Sequence, residues 1–317
     1  MVPLGELLRP VSAHLADEFA HLPLPGALVH ALGLGHLLPV AGLAPPPEIP
    51  DGATVAAIAG PGVLMHDEVD ALRAFADRAR IGIANTWGAK GVYPWDDPHH
   101  LGTVGLQRDD FALLDLDAVD LVLMIGTDPD ESPDAAIGRP VIDVHPHHLD
   151  SLRVTPRAAL PARPRFFDAI AAVAQPGYAS DARPRHPARA VIDLKGGIPP
   201  RGIVTAEPGP VGLWFARTFP TDAPGQIIVP SWSQPGGAAA LALVAVLHGR
   251  HATAVMPEPL DPVTVEIARI ADMLEAPVRF EPWGDDIDLG RTEELIAAAG
   301  PVVAWNGGAG DDLLREP

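Results

Sequence analysis

The sequence contains no cysteine, which excludes disulfide bonds, thiolate nucleophiles and cysteine-based metal sites. Positive charge is also scarce. Lysine and arginine together number 22, against 41 aspartates and glutamates, and the formal net charge is −19. A protein that binds a nucleic-acid backbone needs a basic surface to displace its counterions. We therefore expect no nucleic-acid partner and an acidic surface of the ordinary solvated kind.

Signals for export or membrane insertion are weak. The first ten residues, MVPLGELLRP, lack the basic region of a signal peptide, so we expect a cytoplasmic protein. One apolar run, residues 22–44, is long enough for a membrane span, but it contains Pro23, Pro25 and Pro39 and has no cationic anchors at its flanks. A buried or partner-facing helix is the better interpretation, and no membrane partner is expected.

The chain is long enough for two domains, with 317 residues of which 47% are hydrophobic. Residues 1–50 predict one or two helices and a proline-rich linker. Apolar runs then alternate with segments of helical spacing in residues 51–174 and again in residues 201–317. This indicates an α/β fold class, with two doubly wound, mainly parallel-sheet domains after an N-terminal helical segment. Residues 175–200, rich in Pro, Arg and Ala, are interpreted as an interdomain linker of low core content.

Two groups of residues in the first α/β domain have the placement of a nucleotide site. Gly60 and Gly62 stand between a predicted strand and a predicted helix, where a glycine turn can present backbone N–H groups to a phosphate. The alternative is a tight strand-to-helix turn. Asp143 stands near the carboxyl end of another strand, where a carboxylate can hold a ribose hydroxyl or can simply face solvent.

Familiar catalytic and metal-binding patterns are not found. The sequence has no nucleophile elbow, no P-loop and no HExxH motif. Histidines gather at residues 99–100 and 145–148, but neither group has a second ligand group at a recognisable spacing. We expect no histidine metal site, and no residue is nominated as catalytic.

The stretch NTWGAKGVYPWDDPHHLGTVGLQ, residues 85–107, concentrates special residues in a run predicted to be a loop. It resembles the central-domain signature of thiamine-diphosphate-dependent enzymes of the acetolactate synthase and decarboxylase type. Thr86, the turn around Lys90 and the glycines at 102 and 105 match that signature in order. Flanking motifs extend the resemblance over about residues 53–170. It implies a Rossmann-like central domain in which Lys90 and the glycines face a ligand cleft.

The resemblance continues into the family's diphosphate-binding domain. Glu207 and Gly209 stand near the family's Asp-x-Gly, and Gly236 and Gly237 stand where the family has a glycine-rich turn before an Ala-rich helix. The resemblance implies thiamine diphosphate and Mg²⁺ as cofactors, with the two glycines close to the diphosphate.

The pattern departs from the family at the metal ligands. Full members carry Gly-Asp-Gly and, further along, an Asn, and these Asp and Asn side chains bind Mg²⁺. Here residues 257–259 are Pro-Glu-Pro, and residues 283–285 take the place of Asn. Proline has no backbone N–H to donate. The Glu side chain is one methylene longer than the Asp of the family, and Mg²⁺ requires its ligands in a strict geometry. Glu258 and Asp285 are thus degenerate metal positions. A rival alignment pairs WGDD with Asn306 at a shorter spacing.

A second departure concerns the pyrimidine-binding domain, which begins full members and carries the Glu that promotes ylide formation. The central-domain pattern starts near residue 53, so we expect that domain to be absent. Three hypotheses remain. The chain is a catalytically degenerate accessory or ligand-binding subunit, or one half of a split thiamine-diphosphate-dependent 2-oxo acid lyase or transferase, or a module that binds FAD or an adenine nucleotide through residues 60–146. The resemblance also implies a homo-oligomer or a partner chain that carries the pyrimidine domain.

Overall fold

The computed structural model describes residues 3–35, 42–131 and 137–305. The chain opens with three short helices, α1 (Leu4–Leu8), α2 (Ala13–Glu18) and α3 (Gly26–Leu32). Their apolar side chains belong to the main core, and α1 and α3 contact a long helix of the second domain, α10. Part of the apolar run at 22–44 lies outside the described residues. No helix within the described ranges is long and apolar enough to cross a membrane.

Five parallel strands form the first sheet, in the order β3-β2-β1-β4-β5. The strands are β1 (Val55–Ala59), β2 (Ile83–Thr86), β3 (His100–Val104), β4 (Leu121–Ile125) and β5 (Val141–Val144). The helices between them are α4 (Pro61–Met65), α5 (Val69–Ala79) and α6 (Asp110–Leu113). β1 and β4 are buried along their whole length, which explains their continuous apolar sequences. The strand order reverses between β1 and β4, which makes that position the topological switch point.

Strand β3 corrects the prediction for residues 85–107. Residues 100–104 were predicted as part of a loop, but they form the edge strand beside β2. Gly102 has a φ of +123°, and a Cβ there would lie 2.4 Å from the ring of Phe166. Gly105 has a φ of +89°, and a Cβ there would lie 1.9 Å from the carbonyl oxygen of Glu131. Close packing leaves no room for a side chain at either position. Because glycine is depleted in β-strands, the local residue preferences at 100–105 do not predict a strand.

Four parallel strands form the second sheet, in the order β7-β6-β8-β9. The strands are β6 (Ile203–Ala206), β7 (Ile227–Ile228), β8 (Ala252–Pro257) and β9 (Arg279–Trp283). Its helices are α9 (Pro210–Thr218), α10 (Gly237–Leu247), α11 (Pro262–Met273) and α12 (Thr292–Ala299). The predicted α/β fold class, with two parallel sheets, is confirmed. The apolar run at residues 301–305 forms no strand in the described part of the chain and makes only an isolated bridge, between Val302 and Gln107.

Helices α7 (Arg165–Tyr178) and α8 (Pro187–Gly196) occupy much of the predicted linker, residues 175–200. Five residues of α8 are buried, including Val191 and Leu194, and α8 contacts α7 and α9. The expectation of low core content there is wrong, because small apolar residues form one packed face of a helix whose proline sits in its first turn. The domain boundaries drawn from the sequence stay predictions.

A buried polar network around Arg217 of α9 joins the two sheets. Its guanidinium pairs with Asp110 of α6, and both side chains are fully buried. It also donates to Gln107 Oε1 at 2.9 Å and to the carbonyl oxygen of Thr103 at 2.6 Å. Gln107 in turn donates to the carbonyl oxygen of Leu295 at 2.8 Å. The two α/β units are therefore held together by specific hydrogen bonds as well as by apolar packing.

Candidate functional site

Acidic side chains gather at the carboxyl edge of the second sheet. Because β6, β8 and β9 are parallel neighbours, the residues that follow them meet at one edge. Glu207 follows β6, Glu258 follows β8, and Asp285 lies just after β9. Asp261 adds another carboxylate at the start of α11. The structure therefore brings both predicted metal positions, Glu258 and Asp285, to the edge where the resemblance places a diphosphate.

Glu207 occupies the N-terminus of α10. Its Oε1 accepts a hydrogen bond from the backbone N–H of Ala238 at 2.9 Å. That N–H belongs to the first turn of the helix, where the donors have no intrahelical partner and attract anions. The side chain of Glu207 thus satisfies a helix N-terminal donor that a bound anion could otherwise use.

The glycines before α10, Gly236 and Gly237, have steric reasons for being glycine. Gly236 has a φ of +74°, and a Cβ there would lie 2.7 Å from Val263 Cγ1. A Cβ on Gly237 would lie 2.8 Å from the ring of Trp232. The N–H of Gly237 donates to the carbonyl oxygen of Gln234 at 2.9 Å. The turn therefore packs α10 closely against its neighbours, and the amide of Gly237 is already satisfied.

The surroundings of Glu207 oppose its ionisation. Burial raises the pKa of its carboxyl to about 7, the hydrogen bond from Ala238 opposes that shift, and the charge of Asp261 adds to it. Asp261 is fixed as the N-cap of α11, where it accepts from the backbone N–H groups of Val263 and Thr264, both at 2.9 Å. A second anion at this edge would add to the same repulsion.

The residues at the metal position do not fit a Mg²⁺–diphosphate clamp. Glu258 is exposed, and its carboxylate lies over Gly284, where a Cβ would fall 1.9 Å from Glu258 Oε2. The only backbone donor of residues 257–259 is the N–H of Glu258, and it donates to the carbonyl oxygen of Trp283 at 2.9 Å. Within the described residues no three His, Asp or Glu side chains have the geometry of a metal site. Asn306, from the rival alignment, lies outside those residues.

In the central domain, the turn between β1 and α4 uses its backbone donors internally. The N–H of Gly60 donates to the carbonyl oxygen of Ile125 at 2.9 Å, and that of Gly62 to the carbonyl oxygen of Gly126 at 2.8 Å. The proline between them has no N–H. A Cβ on Gly60 would lie 2.2 Å from the Cα of Thr127, and one on Gly62 would lie 2.7 Å from the oxygen of Gly126. The two glycines let this turn touch the loop after β4, as the tight-turn alternative expects.

Asp143 and Gly62 line a cavity of about 760 Å³ at the switch point between β1 and β4. The cavity lies outside the carboxyl ends of β1, β4 and β5, where open α/β sheets bind ligands. Its volume is within the range of about 300–1,000 Å³ that is typical of small-molecule sites. Asp143 is exposed, so its carboxylate is available to a ligand. Lys90, which the resemblance expects to face a ligand cleft, does not line this cavity.

Histidines that are distant in sequence meet beside this cavity. The ring centroids of His66, His145 and His147 lie 4.9, 5.0 and 5.2 Å apart, and His147 bonds to the carboxylate of Glu68. Burial lowers the pKa of His66 and of His145, and the neighbouring histidines add to the effect. Only folding reveals this group, because His66 follows α4 while the others follow β5. A metal-binding geometry is not found among the described histidines.

Lys90 lies at a different place in the fold. The residue is 5% exposed and lines a second cavity, bounded by β3, α7 and the end of α9. Burial lowers the pKa of its amine to about 7, and the charges of Arg217 and Lys195 lower it further. The structure therefore groups Gly62 with Asp143, and Gly236 and Gly237 with Glu207, but separates Lys90 from both groups.

Glu131 is a buried acid that the sequence patterns did not single out. Its carboxylate accepts hydrogen bonds from the Thr86 hydroxyl and from the backbone N–H of Gly88, the latter at 3.0 Å. Burial raises its pKa to about 8. A Cβ on Gly88 would lie 2.2 Å from Glu131 Oε1. Gly88 lies inside the signature stretch. A glycine at this position was the one sequence feature that could have indicated a close approach of another group to the backbone.

Comparison with known proteins confirms the resemblance for the central domain. Residues 49–163 match the family model described as thiamine pyrophosphate enzyme, central domain. YdaP of Bacillus subtilis (strain 168), named as a candidate thiamine pyrophosphate-containing protein, is 26% identical over 183 residues, which cover 50% of this chain and 32% of YdaP. This chain therefore spans about a third of that relative's length.

A solved structure shows the fold over a longer part of the chain. The X-ray structure of a candidate thiamin diphosphate-dependent enzyme from Mycobacterium smegmatis aligns with a TM-score of 0.52 and 16% sequence identity. The alignment covers 78% of this chain and 56% of the other. At this identity, the likeness establishes the shared fold.

Proposed function

We propose that this chain, in which residues 49–163 match the family model for the thiamine pyrophosphate enzyme central domain, is a thiamine-diphosphate-enzyme-like protein with no catalytic activity of its own. It acts as an accessory or ligand-binding subunit. The observation that supports this role most directly is the carboxylate of Glu207 on the N-terminus of α10, at the edge where a diphosphate would bind. A carboxyl group of the protein therefore occupies the helix N-terminus at which the resemblance places the cofactor's diphosphate.

The metal position supports the same proposal. Mg²⁺ prefers near-octahedral oxygen coordination and shares its ligands with the phosphates it binds. Glu258 stands between two prolines and lies over Gly284, and Asp285 is exposed beside it. Without a bound cation, the carboxylates at this edge repel a diphosphate. We therefore expect the chain to bind thiamine diphosphate weakly or not at all.

Isothermal titration of the purified chain with thiamine diphosphate, with and without Mg²⁺, tests this proposal. We expect no saturable binding at concentrations up to about 1 mM, which corresponds to a binding free energy weaker than about −4 kcal/mol. Micromolar, Mg²⁺-dependent binding by the unaltered chain would overturn it. Binding that appears only when a separate pyrimidine-domain chain is added would replace it with the split-enzyme alternative.

A matched variant tests the structural reason for weak binding. Glu207→Ala combined with Pro257→Gly, Glu258→Asp and Pro259→Gly frees the N–H of Ala238 and rebuilds the metal tripeptide. We expect this variant to gain Mg²⁺-dependent binding of inorganic pyrophosphate, relative to a variant that carries Glu207→Ala alone. Equal pyrophosphate binding by the two variants would show that the tripeptide at 257–259 is not the cause.

The cavity at the switch point favours a second candidate function, binding of FAD or an adenine nucleotide in the central domain. The cavity has the right position and volume, and Asp143 is placed to accept a hydrogen bond from a ribose hydroxyl. The amides of Gly60 and Gly62 are already used, so phosphate recognition would depend on other groups. Thermal shift with FAD, ADP and coenzyme A tests this function.

The expected result is a stabilisation by one of these ligands that Asp143→Ala removes. Asp150→Ala is the matched control, because Asp150 is exposed and does not line the cavity. No shift with any of the three ligands would remove this candidate.

A further inference from the structure

An apolar cavity of about 430 Å³ lies between the two α/β units, away from the two sites described above. Its walls are β3, α7, and the end of α9 with the residues that follow it. Phe166, Phe167 and Ile170 of α7 line it together with Phe219. Small-molecule sites usually have this character, with mostly apolar walls and a few polar groups that fix the ligand's orientation.

Lys90 is the polar group that this cavity holds without a partner. The residue is 5% exposed, and within the described residues no carboxylate, carbonyl or hydroxyl group bonds to its amine. The chain's other lysine, Lys195, donates to the carbonyl oxygen of Pro220 and pairs with Asp222 at 3.0 Å. The two lysines therefore differ in their surroundings, and of the two only Lys90 lines the apolar cavity without a bonded partner among the described residues.

The other buried polar side chains at the cavity are already engaged. Arg217 is held by Asp110, and the hydroxyl of Tyr178 donates to a backbone carbonyl of α9. His100 bonds to Asn85 Oδ1 at 3.0 Å. A buried amine without a counter-ion costs free energy, and the amine either loses its proton or meets an anion. No protein carboxylate is present to serve Lys90 among the described residues, so an anion would have to come from a ligand.

We propose that this cavity binds a small amphipathic carboxylate, which pairs with Lys90 Nζ and lays its alkyl or aryl body against Phe166, Phe167 and Ile170. The carboxylate supplies the charge and the acceptor oxygens that the buried amine lacks. A sugar or a phosphate ester fits less well, because it would bury more polar atoms than one amine can satisfy. Trp95, a lining residue that is 45% exposed, marks the open side of the cavity. This site is separate from the carboxyl edge of the second sheet, where Glu207 lies.

Protonation of Lys90 is coupled to such binding. In the free protein, burial together with Arg217 and Lys195 lowers its pKa to about 7, so the amine is mostly neutral at about pH 8. A bound carboxylate favours the ammonium form and raises that pKa, so binding at this pH takes up a proton. His100 stays neutral in this range, because burial lowers its pKa to about 4.

The two lysines make this coupling directly measurable. In protein labelled with ¹³C-lysine, NMR should show two side-chain ε-methylene signals, and Lys90→Met identifies the one from Lys90. Octanoate and octanamide are the probes, since they share a shape and differ in charge. We expect octanoate to raise the titration midpoint of the Lys90 signal by at least about one pH unit and to bind about tenfold tighter than octanamide.

Variants separate the charge from the apolar space. Lys90→Met should remove the preference for octanoate over octanamide, whereas Lys195→Met should keep it. Ala171→Leu, which narrows the cavity and retains Lys90, should weaken both probes and serves as the second test if Lys90→Met does not fold. Equal binding of the two probes by the unaltered protein, or an octanoate preference that survives Lys90→Met, would overturn the proposal. Probe binding unaffected by Ala171→Leu would do the same.

Discussion

Single buried residues account for much of the electrostatic character of this protein. Glu131 and Glu207 are acids in apolar surroundings, and burial raises their pKa values to about 8 and about 7. An acid with a higher pKa in the folded state binds its proton more tightly when folded. Its contribution to stability is therefore fully present below the unfolded pKa, near 4.5, and is lost as pH rises through the folded pKa.

We expect the free energy of unfolding to fall as pH rises from about 4.5 to about 8, with Glu131 contributing up to about 1.4 kcal/mol per pH unit. Glu131→Gln should flatten this dependence, because glutamine still accepts from Thr86 and Gly88 and does not ionise. Urea denaturation across this pH range measures the slope. The exposed Glu293→Gln is the control, and an equal slope in both variants would contradict the expectation.

Single elements show how local signals combine with packing. The sequence predicts α10 well, because an uninterrupted apolar run of helix-forming residues belongs to a helix buried on all sides. It predicts β3 badly, because Gly102 has a low β-strand propensity. The glycine is needed there because Phe166 packs directly against its Cα. Helix α11 is the clearest local case. Asp261 precedes its first proline and caps two backbone N–H groups.

Removal of this cap should destabilise the protein. We expect Asp261→Ala to lower the free energy of unfolding by about 1 kcal/mol, within the usual range of about 0.5–2 kcal/mol for a lost N-cap. Asp261→Asn should lose much less, since asparagine also caps helices. Asp261→Asn should also lower the pKa of Glu207, because the charge of Asp261 helps to raise that pKa. Equal losses for the two variants, measured by urea denaturation, would show that the charge and not the cap is what stabilises.

The two sheets of the molecule are coupled through Arg217 and Asp110. Both side chains are fully buried, and each needs the other to remain charged in the interior. The N-terminal helices reinforce this coupling by contacting α10 of the second domain. The cavity that contains Lys90 lies at the same junction, so the packing of the two units also defines its shape.

Breaking this pair should be costly. We expect Arg217→Met to destabilise the protein by about 3–5 kcal/mol, because it leaves the carboxylate of Asp110 buried without a counter-ion. The double variant Arg217→Met with Asp110→Asn should recover part of that loss. Arg165→Met removes an exposed ion pair and should cost no more than about 1 kcal/mol. If chemical denaturation gave Arg217→Met the same cost as Arg165→Met, the buried pair would not be what joins the units.

Sequence patterns alone establish the α/β class, most of the helices and strands, and the relationship of the central domain to thiamine pyrophosphate enzymes. These features depend on short-range patterns: apolar runs, helical spacing and spaced glycines between residues 53 and 170. The sequence also located the departures at Glu258 and Asp285. Local patterns suffice for such features because each is encoded by residues that are close together in the chain.

Which candidate residues share a site follows from the three-dimensional packing and could not be read from the sequence. It placed Lys90 in a separate cavity from Asp143, brought His66 to residues 145–148, and set Glu207 on the N-terminus of α10. These outcomes depend on how parallel strands order themselves and how two units pack, which brings together residues far apart in the chain. Burial follows from the same packing. It turns Lys90, Glu131 and Glu207 from ordinary charged residues into groups with shifted pKa values, which no local pattern could reveal.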